Sequence, residues 1–567
     1  MNKKNQISSI LNNCNNLVDI FNYHKKKTPE KKIFFEKKSE NWNSISFTES
    51  SKRIEKIIDF FIEKKLKKND RVFLLSSNKI EWVEFDLAIM SIGCITVPSF
   101  VTNNQADNKF IINDCNPSLI ILENEEIFEK NKKFLNKFRE IIILIDPSMK
   151  FYNYRDIQKR KNLKKNKAKV SKNDISSIIY TSGTTGNPKG VILSHRSIMH
   201  NLLGAIELIS DFNINKERFI SFLPLSHSYE RMAGLYFALL INAEIFFCTS
   251  TEKLLLEIKE VQPTILSAVP RLYESIYKKI KSQIRSSSKL VSFFLSITFN
   301  LIDKKKKNLN ILQIILGKLF IKLILKKKIL NIFGNKIKVL ISGGAALNPS
   351  VGFFFNSLAI YLLQGYGQTE ASPLISCNRK NSNDPKTVGL PVKDVKVRIS
   401  SDGEILVSGK NLMDGYWKQK SLTKKTINNG WLHTGDLGEI DEKGRIIITG
   451  RKKDLIVTSG GENISVQKIE NMLLDIDEIS QAVIYGDNKP FLIAMIKIND
   501  EYKNCDLKGI ISNLNLKLNS VEKIRKFVLI NKDLSYENGF MTQTLKIKKD
   551  KVFKFYEKEI KKLYHNL

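Results

Sequence analysis

The sequence predicts an α/β protein built on parallel sheet layers, and three observations carry that expectation. Short apolar strand patterns alternate with helical patterns between residues 47 and 145. The chain has 567 residues, too many for one compact core and enough for about three or four domain-sized units. Its 42% hydrophobic and 9% aromatic residues are an ordinary supply for such cores.

Taken in order, residues 47–66 open with Thr48 as a helix cap and continue with Ile54, Ile57, Ile58, Phe61 and Ile62 at helical spacing. Residues 71–75 read as a buried strand, and 80–92 as a helix with apolar residues on most sides, ending at Gly93. Residues 94–98, 118–122 and 141–145 continue the strands. Residues 157–172, rich in Lys and Asn, read as a solvated connector.

The connector leads to the most informative stretch. The apolar run 175–179 and the run 191–193 flank Thr181-Ser182-Gly183-Thr184-Thr185-Gly186-Asn187-Pro188-Lys189-Gly190, so this is expected to be the tip of a hairpin. Glycines let the backbone approach a ligand, hydroxyls donate hydrogen bonds, and Lys189 brings a point charge suited to phosphate. It is not the Walker loop: no glycine stands where that motif needs one, and a strand follows where a helix is required.

Net charge is +34, with Lys far ahead of Arg and with Lys, Asn and Ile in excess along the whole chain. That joint excess reads as a coding bias rather than a binding patch, and attraction to an anionic membrane surface is its best functional use. No nucleic-acid motif is present, so no nucleic-acid partner is expected. The six scattered cysteines fit a reducing cytoplasm. The first 16 residues lack an apolar stretch and a cleavage site, and no run reaches the roughly 20 apolar residues of a spanning helix.

Further along, a helix is expected from Ser194-His195-Arg196, with His195 structural. At 222–231 a strand end turns into a helix through Pro224, Ser226 and His227; alone, His227 reads as a core histidine. Residues 276–336 are atypical, with apolar runs at 290–302 and 311–330. In the second run Lys318, Lys322 and Lys326 stack on one helix face, which fits either a packed surface helix or one lying on anionic lipid. A strand at 339–341 runs into Ser342-Gly343-Gly344-Ala345-Ala346-Leu347, a small-residue turn against which a flat ring can lie. Gln364-Gly365-Tyr366-Gly367-Gln368-Thr369-Glu370 follows, with an aromatic between glycines, a hydroxyl and a carboxylate. Glu370 is the Mg²⁺ candidate, because that ion takes hard oxygen ligands shared with phosphate and water. Residues 403–408 and 415–417 read as a β-rich segment, and the stretches Trp431 to Asp436 and Gly444 to Asp454 follow.

In this order the motifs resemble those of the AMP-forming acyl-adenylate synthetase superfamily, and those at 222–231 and 262–274 resemble its long-chain fatty acyl-CoA synthetases. The resemblance implies a large N-terminal domain, residues 1–451, of α/β layers plus a β-rich subdomain. A small mobile α+β C-terminal domain, 452–567, would turn about a hinge at Lys453. It implies ATP and CoA as cosubstrates with Mg²⁺, a long-chain fatty acid as substrate, and an acyl-AMP intermediate. It assigns Thr181, Ser182, Gly183, Thr184, Thr185, Gly186 and Lys189 to phosphate, with Thr181 joining Glu370 at the metal. Gly344, Ala345, Ala346, Gln364, Gly365, Tyr366 and Gly367 fall to the adenine side, Asp436 and Arg451 to ribose or phosphate, and Thr369 to the α-phosphate. His227 would line the acyl pocket, Gly460 and Gly461 the thiol tunnel, and Lys546, in register with Glu537-Asn538-Gly539, is the adenylating lysine. A carrier protein in place of CoA, a nucleic-acid-binding protein and a membrane scaffold with a dead site are the alternatives. A cytoplasmic enzyme, with peripheral contact to the inner membrane face through 311–330, is the expected setting.

Overall fold

The fold is described from a computed structural model covering residues 3–161, 168–181, 187–285, 325–457, 463–535, 538–541 and 547–565. Its first layer is a seven-stranded sheet in the order Gly415–Tyr416, Lys189–Ser194, Ile175–Thr181, Ile95–Ser99, Arg71–Leu75, Leu119–Leu122, Ile142–Leu144. The last five of these run parallel, linked by helices such as Ile80–Ser91, as the strand–helix alternation predicts. That helix is buried on nearly every side, including its carboxylates Glu84 and Asp86. The 175–193 hairpin forms: Ile175–Thr181 pairs antiparallel with Lys189–Ser194, Thr181 opposite Lys189.

Two elements correct the sequence reading. The helix Phe47–Glu63 is capped by Ser46, whose hydroxyl accepts from Glu49 N while Glu49 answers to Ser46 N. Thr48 instead bonds Pro29 O and Glu30 across to the preceding loop. Gly415–Tyr416 does not join the β-rich segment; it pairs with Lys189–Ser194, Tyr416 opposite Val191, as an added edge of the first sheet. A two-residue strand carries too little pattern for its partner to be read from sequence.

A second sheet places Ile265–Ala268, Val339–Ser342 and Tyr361–Gly367 parallel, with Leu374–Cys377 and Leu390–Pro391 antiparallel at its edge. The strands Lys396–Ile399, Glu404–Ser408, Ile427–Asn428, Trp431–Ile440 and Ile446–Arg451 form an antiparallel sheet, the β-rich subdomain. Beyond it, Ile479–Tyr485, Leu492–Ile498 and Ile524–Leu529 make a separate sheet with apolar cores of its own, around Ile469 and Leu492 on one face and Met495 and Val552 on the other. Helix Pro270–Arg285 leads toward the atypical region and Lys326–Ile332 leads away from it; residues 286–324, and with them most of the 311–330 run, lie outside the described residues. Among the described residues no helix is long and apolar enough to cross a membrane.

Candidate active site

The ends of the first two sheets and the antiparallel sheet converge on one cavity of about 720 Å³. The hairpin brings Thr181 and Lys189 to its wall, and the strand Tyr361–Gly367 with the turn after it brings Gly365, Tyr366, Gly367, Thr369 and Glu370. Gly344, Arg451, Lys453 and His227 also line it. Motifs 181 and 453 residues down the chain thus share a single space, which is what a ligand spanning several chemical groups requires.

Hydrogen bonds fix the polar wall. Tyr416, brought in by the added edge strand, donates its hydroxyl to Glu370 Oε1 at 2.9 Å, and the Lys189 ammonium stands 5.7 Å over the same ring. Thr369 Oγ1 and Ser228 Oγ are 3.1 Å apart, both buried. Tyr366 donates to Asp436 Oδ2 at 2.7 Å, and Arg451 Nε donates to Asp436 Oδ1. Asp436 is only 2% exposed and sits behind this pair rather than on the cavity surface. Burial works against the Arg451 charge, but the Asp436 carboxylate outweighs it and holds the guanidinium above its ordinary pKa. Burial, then the same carboxylate, raises the Tyr366 phenol well above its usual range.

Glycine is required where the backbone meets its neighbours. A Cβ on Gly343 would come 3.0 Å from the Tyr229 ring, and one on Gly367 would overlap the Pro373 carbonyl. These two close approaches hold the 342–344 turn and the 367–370 turn against the cavity.

Besides Asp436, three expected nucleotide contacts do not line it. Ala345 and Ala346 are exposed beside Gly344, and the buried Gln364 commits its amide to Leu347 N at 2.7 Å and Thr387 O at 3.0 Å. Gln364 thereby braces the 343–347 turn from behind. Ser182, Gly183, Thr184, Thr185, Gly186, Gly460, Gly461 and Lys546 lie outside the described residues. Lys548, two positions after Lys546, lines the cavity, and Met541 pairs with Ile547 across that segment.

Other residues were missed by sequence reasoning. From the polar wall the cavity continues past His227 and Ser228 into an apolar arm of Ala205, Leu208, Ile209, Phe219, Met232, Ala233 and Phe237. Two helical stretches build most of this arm, His195–Ile209 and the segment after Ser228 that widens into a π-helix over Arg231–Tyr236 and runs on into Phe237–Leu240, with Phe219 added from the strand Arg218–Ser221. His227 caps that segment, its Nδ1 accepting from Tyr229 N at 3.1 Å. His195 is structural as expected: it is buried, accepts from Leu17 N at 3.2 Å, and burial holds its pKa down to about 3. The run of small and apolar residues at 202–209 and 232–239 is the one sequence signal for the arm, and it is indistinguishable there from ordinary core.

Among the described residues no group of three or more His, Cys, Asp or Glu could hold a metal ion. The donors that do share the cavity, a carboxylate at Glu370 and a hydroxyl at Thr181, are hard oxygens that suit a Mg²⁺ shared with phosphate.

Comparison with known proteins gives a matching family model over residues 21–417, described as AMP-binding enzyme, and another over 453–567, described as AMP-binding enzyme C-terminal domain. The chain is 27% identical to a Mycobacterium bovis protein named as a long-chain-fatty-acid–CoA ligase, covering 92% of this chain and 93% of that one. It is 29% identical to an Arabidopsis thaliana chloroplastic protein named as a long-chain-fatty-acid–[acyl-carrier-protein] ligase, over 88% and 80% of the two chains. ATP-bound MatB from Rhodopseudomonas palustris has the same fold, with a TM-score of 0.76, 21% identity and coverage of 96% and 99%.

Proposed function

The chain belongs to the AMP-binding enzyme family, and from that premise we propose that it is a long-chain-fatty-acid–CoA ligase, forming acyl-AMP from a fatty acid and ATP and then a thioester with CoA. One observation carries the substrate class: the phosphate-type wall of Thr181, Lys189, Thr369 and Glu370 opens directly into the apolar arm of Ala205, Leu208, Ile209, Met232, Ala233 and Phe237. A ligand with an anionic head and a long alkyl tail matches both ends. The total volume is within the roughly 300–1,000 Å³ of small-molecule cavities.

In the first step the fatty carboxylate attacks the α-phosphorus of ATP and pyrophosphate leaves. The carboxylate is itself the nucleophile, so the protein supplies position and charge. The 181–189 loop grips the leaving phosphates through its hydroxyls and Lys189. Thr369, held by Ser228, donates to the α-phosphate. Glu370, oriented by Tyr416, and Thr181 would hold Mg²⁺, which neutralises phosphate charge when bound. The ribose lies against Arg451, which Asp436 holds from behind, and adenine against Gly344 and Tyr366, with Ala345 and Ala346 at its outer edge and Gln364 behind. Lys546 bridges carboxylate and phosphate charge.

In the second step the small domain, taken as 452–567, turns about Lys453, withdrawing Lys546 and presenting Gly460 and Gly461 to the CoA thiol, which displaces AMP. Hinge closure of this kind reuses one site for two reactions. Residues 311–330 are proposed to lie on an anionic membrane surface at the inner cell membrane, where fatty acids partition. Liposome flotation of the wild type against a Lys318/Lys322/Lys326→Glu variant tests this, and equal flotation rules it out.

AMP release from the purified protein across a fatty-acid length series tests the main reading, with CoA, with acyl carrier protein and with neither. Release that depends on fatty acid and is accelerated by CoA supports it; acceleration by carrier protein alone replaces the acceptor. Lys546→Ala should remove fatty-acid-dependent ATP–pyrophosphate exchange.

A further inference from the structure

Between the antiparallel sheet and the small domain the chain makes a single one-turn passage, Lys452–Asp454, after the strand Ile446–Arg451. Its first residue is tied down. Lys452 Nζ donates at 2.7 Å to Asp402 Oδ2 and at 2.7 Å to Glu404 Oε2. Asp402 sits in the turn before the strand Glu404–Ser408, and Glu404 is that strand's first residue. Glu404 is only 5% exposed and is held on all sides: Gly435 N donates to Oε1 at 2.8 Å and His433 Nδ1 lies 3.0 Å from Oε2. The next residue, Lys453, has an exposed side chain.

We infer that Lys452 is a positioning residue whose clamp between Asp402 and Glu404 fixes the large-domain side of the passage, confining the domain turn to Lys453 and beyond. The inference rests on the two-step reading above. Its physical basis is the unequal cost of turning neighbouring torsions. Rotation about the Lys452 N–Cα bond would swing its side chain away from both carboxylates and break the two charge-assisted hydrogen bonds. Rotation at 453 breaks neither. Burial opposes the charge on both groups, yet hydrogen bonds from Lys452, His433 and Gly435 N lower the Glu404 pKa, and those to Asp402 and Glu404 raise that of Lys452.

The clamp also reaches the nucleotide. Gly435, whose N–H rests on Glu404, precedes Asp436, and Asp436 holds Arg451, the residue before Lys452. Two successive side chains, 451 and 452, are therefore anchored to the same pair of strands, Glu404–Ser408 and Trp431–Ile440. A ligand against Arg451, which lines the cavity, acts on the fixed end of the passage, and the free end starts at Lys453.

The test measures the two half-reactions separately in the full-length protein: fatty-acid-dependent ATP–pyrophosphate exchange, and thioester formation from CoA and added acyl-AMP. Lys452→Met should leave exchange within about twofold and slow complete turnover about tenfold, the effect of losing about 1.4 kcal/mol of preference for one axis. Acyl-AMP should accumulate in the steady state, and Lys452→Arg, which keeps both bonds, should restore turnover. Wild-type turnover in Lys452→Met, a proportional loss of both half-reactions, or failure of Lys452→Arg to rescue would overturn the inference. A wild-type protein that performs neither half-reaction would overturn the two-step reading instead.

Discussion

Asp436 shows how much one carboxylate organises. It is buried, it accepts from Tyr366 and Arg451, and it occupies the strand register opposite Arg451. Asp436→Asn keeps the size but gives up the charge that both neighbours answer to. Hydrogen bonds to charged groups are worth about 1.5–3 kcal/mol each, so KM for ATP should rise roughly 10–100-fold with the fold intact by circular dichroism. Glu230 is the opposite kind of carboxylate. It is fully buried, it accepts from Ser221 at 2.7 Å, and burial pushes its pKa up to about 8. The unfolded chain ionises this group near pH 4.3. A folded pKa above the unfolded one means its contribution is intact below about pH 4 and is lost as pH rises toward 8. Glu230→Gln should therefore match the wild type in melting temperature at pH 4 and exceed it increasingly up to pH 8, where the stability gap reaches a few kcal/mol. A gain that does not change with pH would refute this. The buried histidines act from the other side. Burial holds His24 near about 4 and His195 near about 3, so their contribution is intact above pH 6.5 and is lost as pH falls below it.

At the scale of elements, the apolar arm depends on two helical stretches presenting small residues inward. Ala205 lies on His195–Ile209, and Ala233 on the π-helical turn, where the extra residue re-aims the side chains. Phe219 and Phe237 meet edge to face at 6.4 Å across the arm. Filling the arm should shorten the preferred acyl chain. Each methylene excluded forfeits about 0.8 kcal/mol, so Ala233→Phe, displacing about three, should cut kcat/KM for long acids roughly 50-fold and spare medium ones. Unchanged length preference would remove the arm from the acyl path. What could be read in advance at this scale follows from local physics. The strand–helix alternation, the hairpin around 181–189 and the strands before Gly343 and Gly365 all declare themselves through apolar runs broken by glycine. Sequence does not separate Ser46 from Thr48 as the cap, because either hydroxyl fits an N-terminus by type and only the Glu49 geometry decides. The Gly415–Tyr416 pairing and the apolar arm were not legible, because each depends on elements about 20 to 220 residues apart meeting in space. Tyr416 reaches Glu370 only through that pairing, so its part in the site was hidden with it.

For the whole molecule, the cavity needs both domains, since Lys548 of the small domain lines it together with Asp107 of the large one. Burial raises the Asp107 carboxyl above its ordinary pKa, against the pull of the Lys548 charge. The orientation that places Lys548 there has a second support on the other side of the small domain. Helix Pro270–Arg285 sends Lys281 to Asp477 at 2.5 Å and Lys278 to the Ile479 carbonyl at 3.3 Å, and Asn348 donates to Asp475. All three contacts would break on a large turn of the small domain, so they favour the orientation in which Lys548 lines the cavity. Their weight is modest, because the Lys281 and Asp477 side chains are 25% and 28% exposed and solvent-screened pairs are worth about 0.2–1 kcal/mol. Lys281→Glu replaces that attraction with repulsion and should depopulate the orientation about two- to fivefold. Adenylation, measured by ATP–pyrophosphate exchange at subsaturating fatty acid, should slow by the same factor, while thioester formation from added acyl-AMP should hold steady or quicken. Asp477→Lys on the Lys281→Glu background restores the pair with its signs exchanged and should recover exchange. Equal slowing of both half-reactions, with no recovery in the double variant, would show that the contact serves folding and has no part in the choice between orientations.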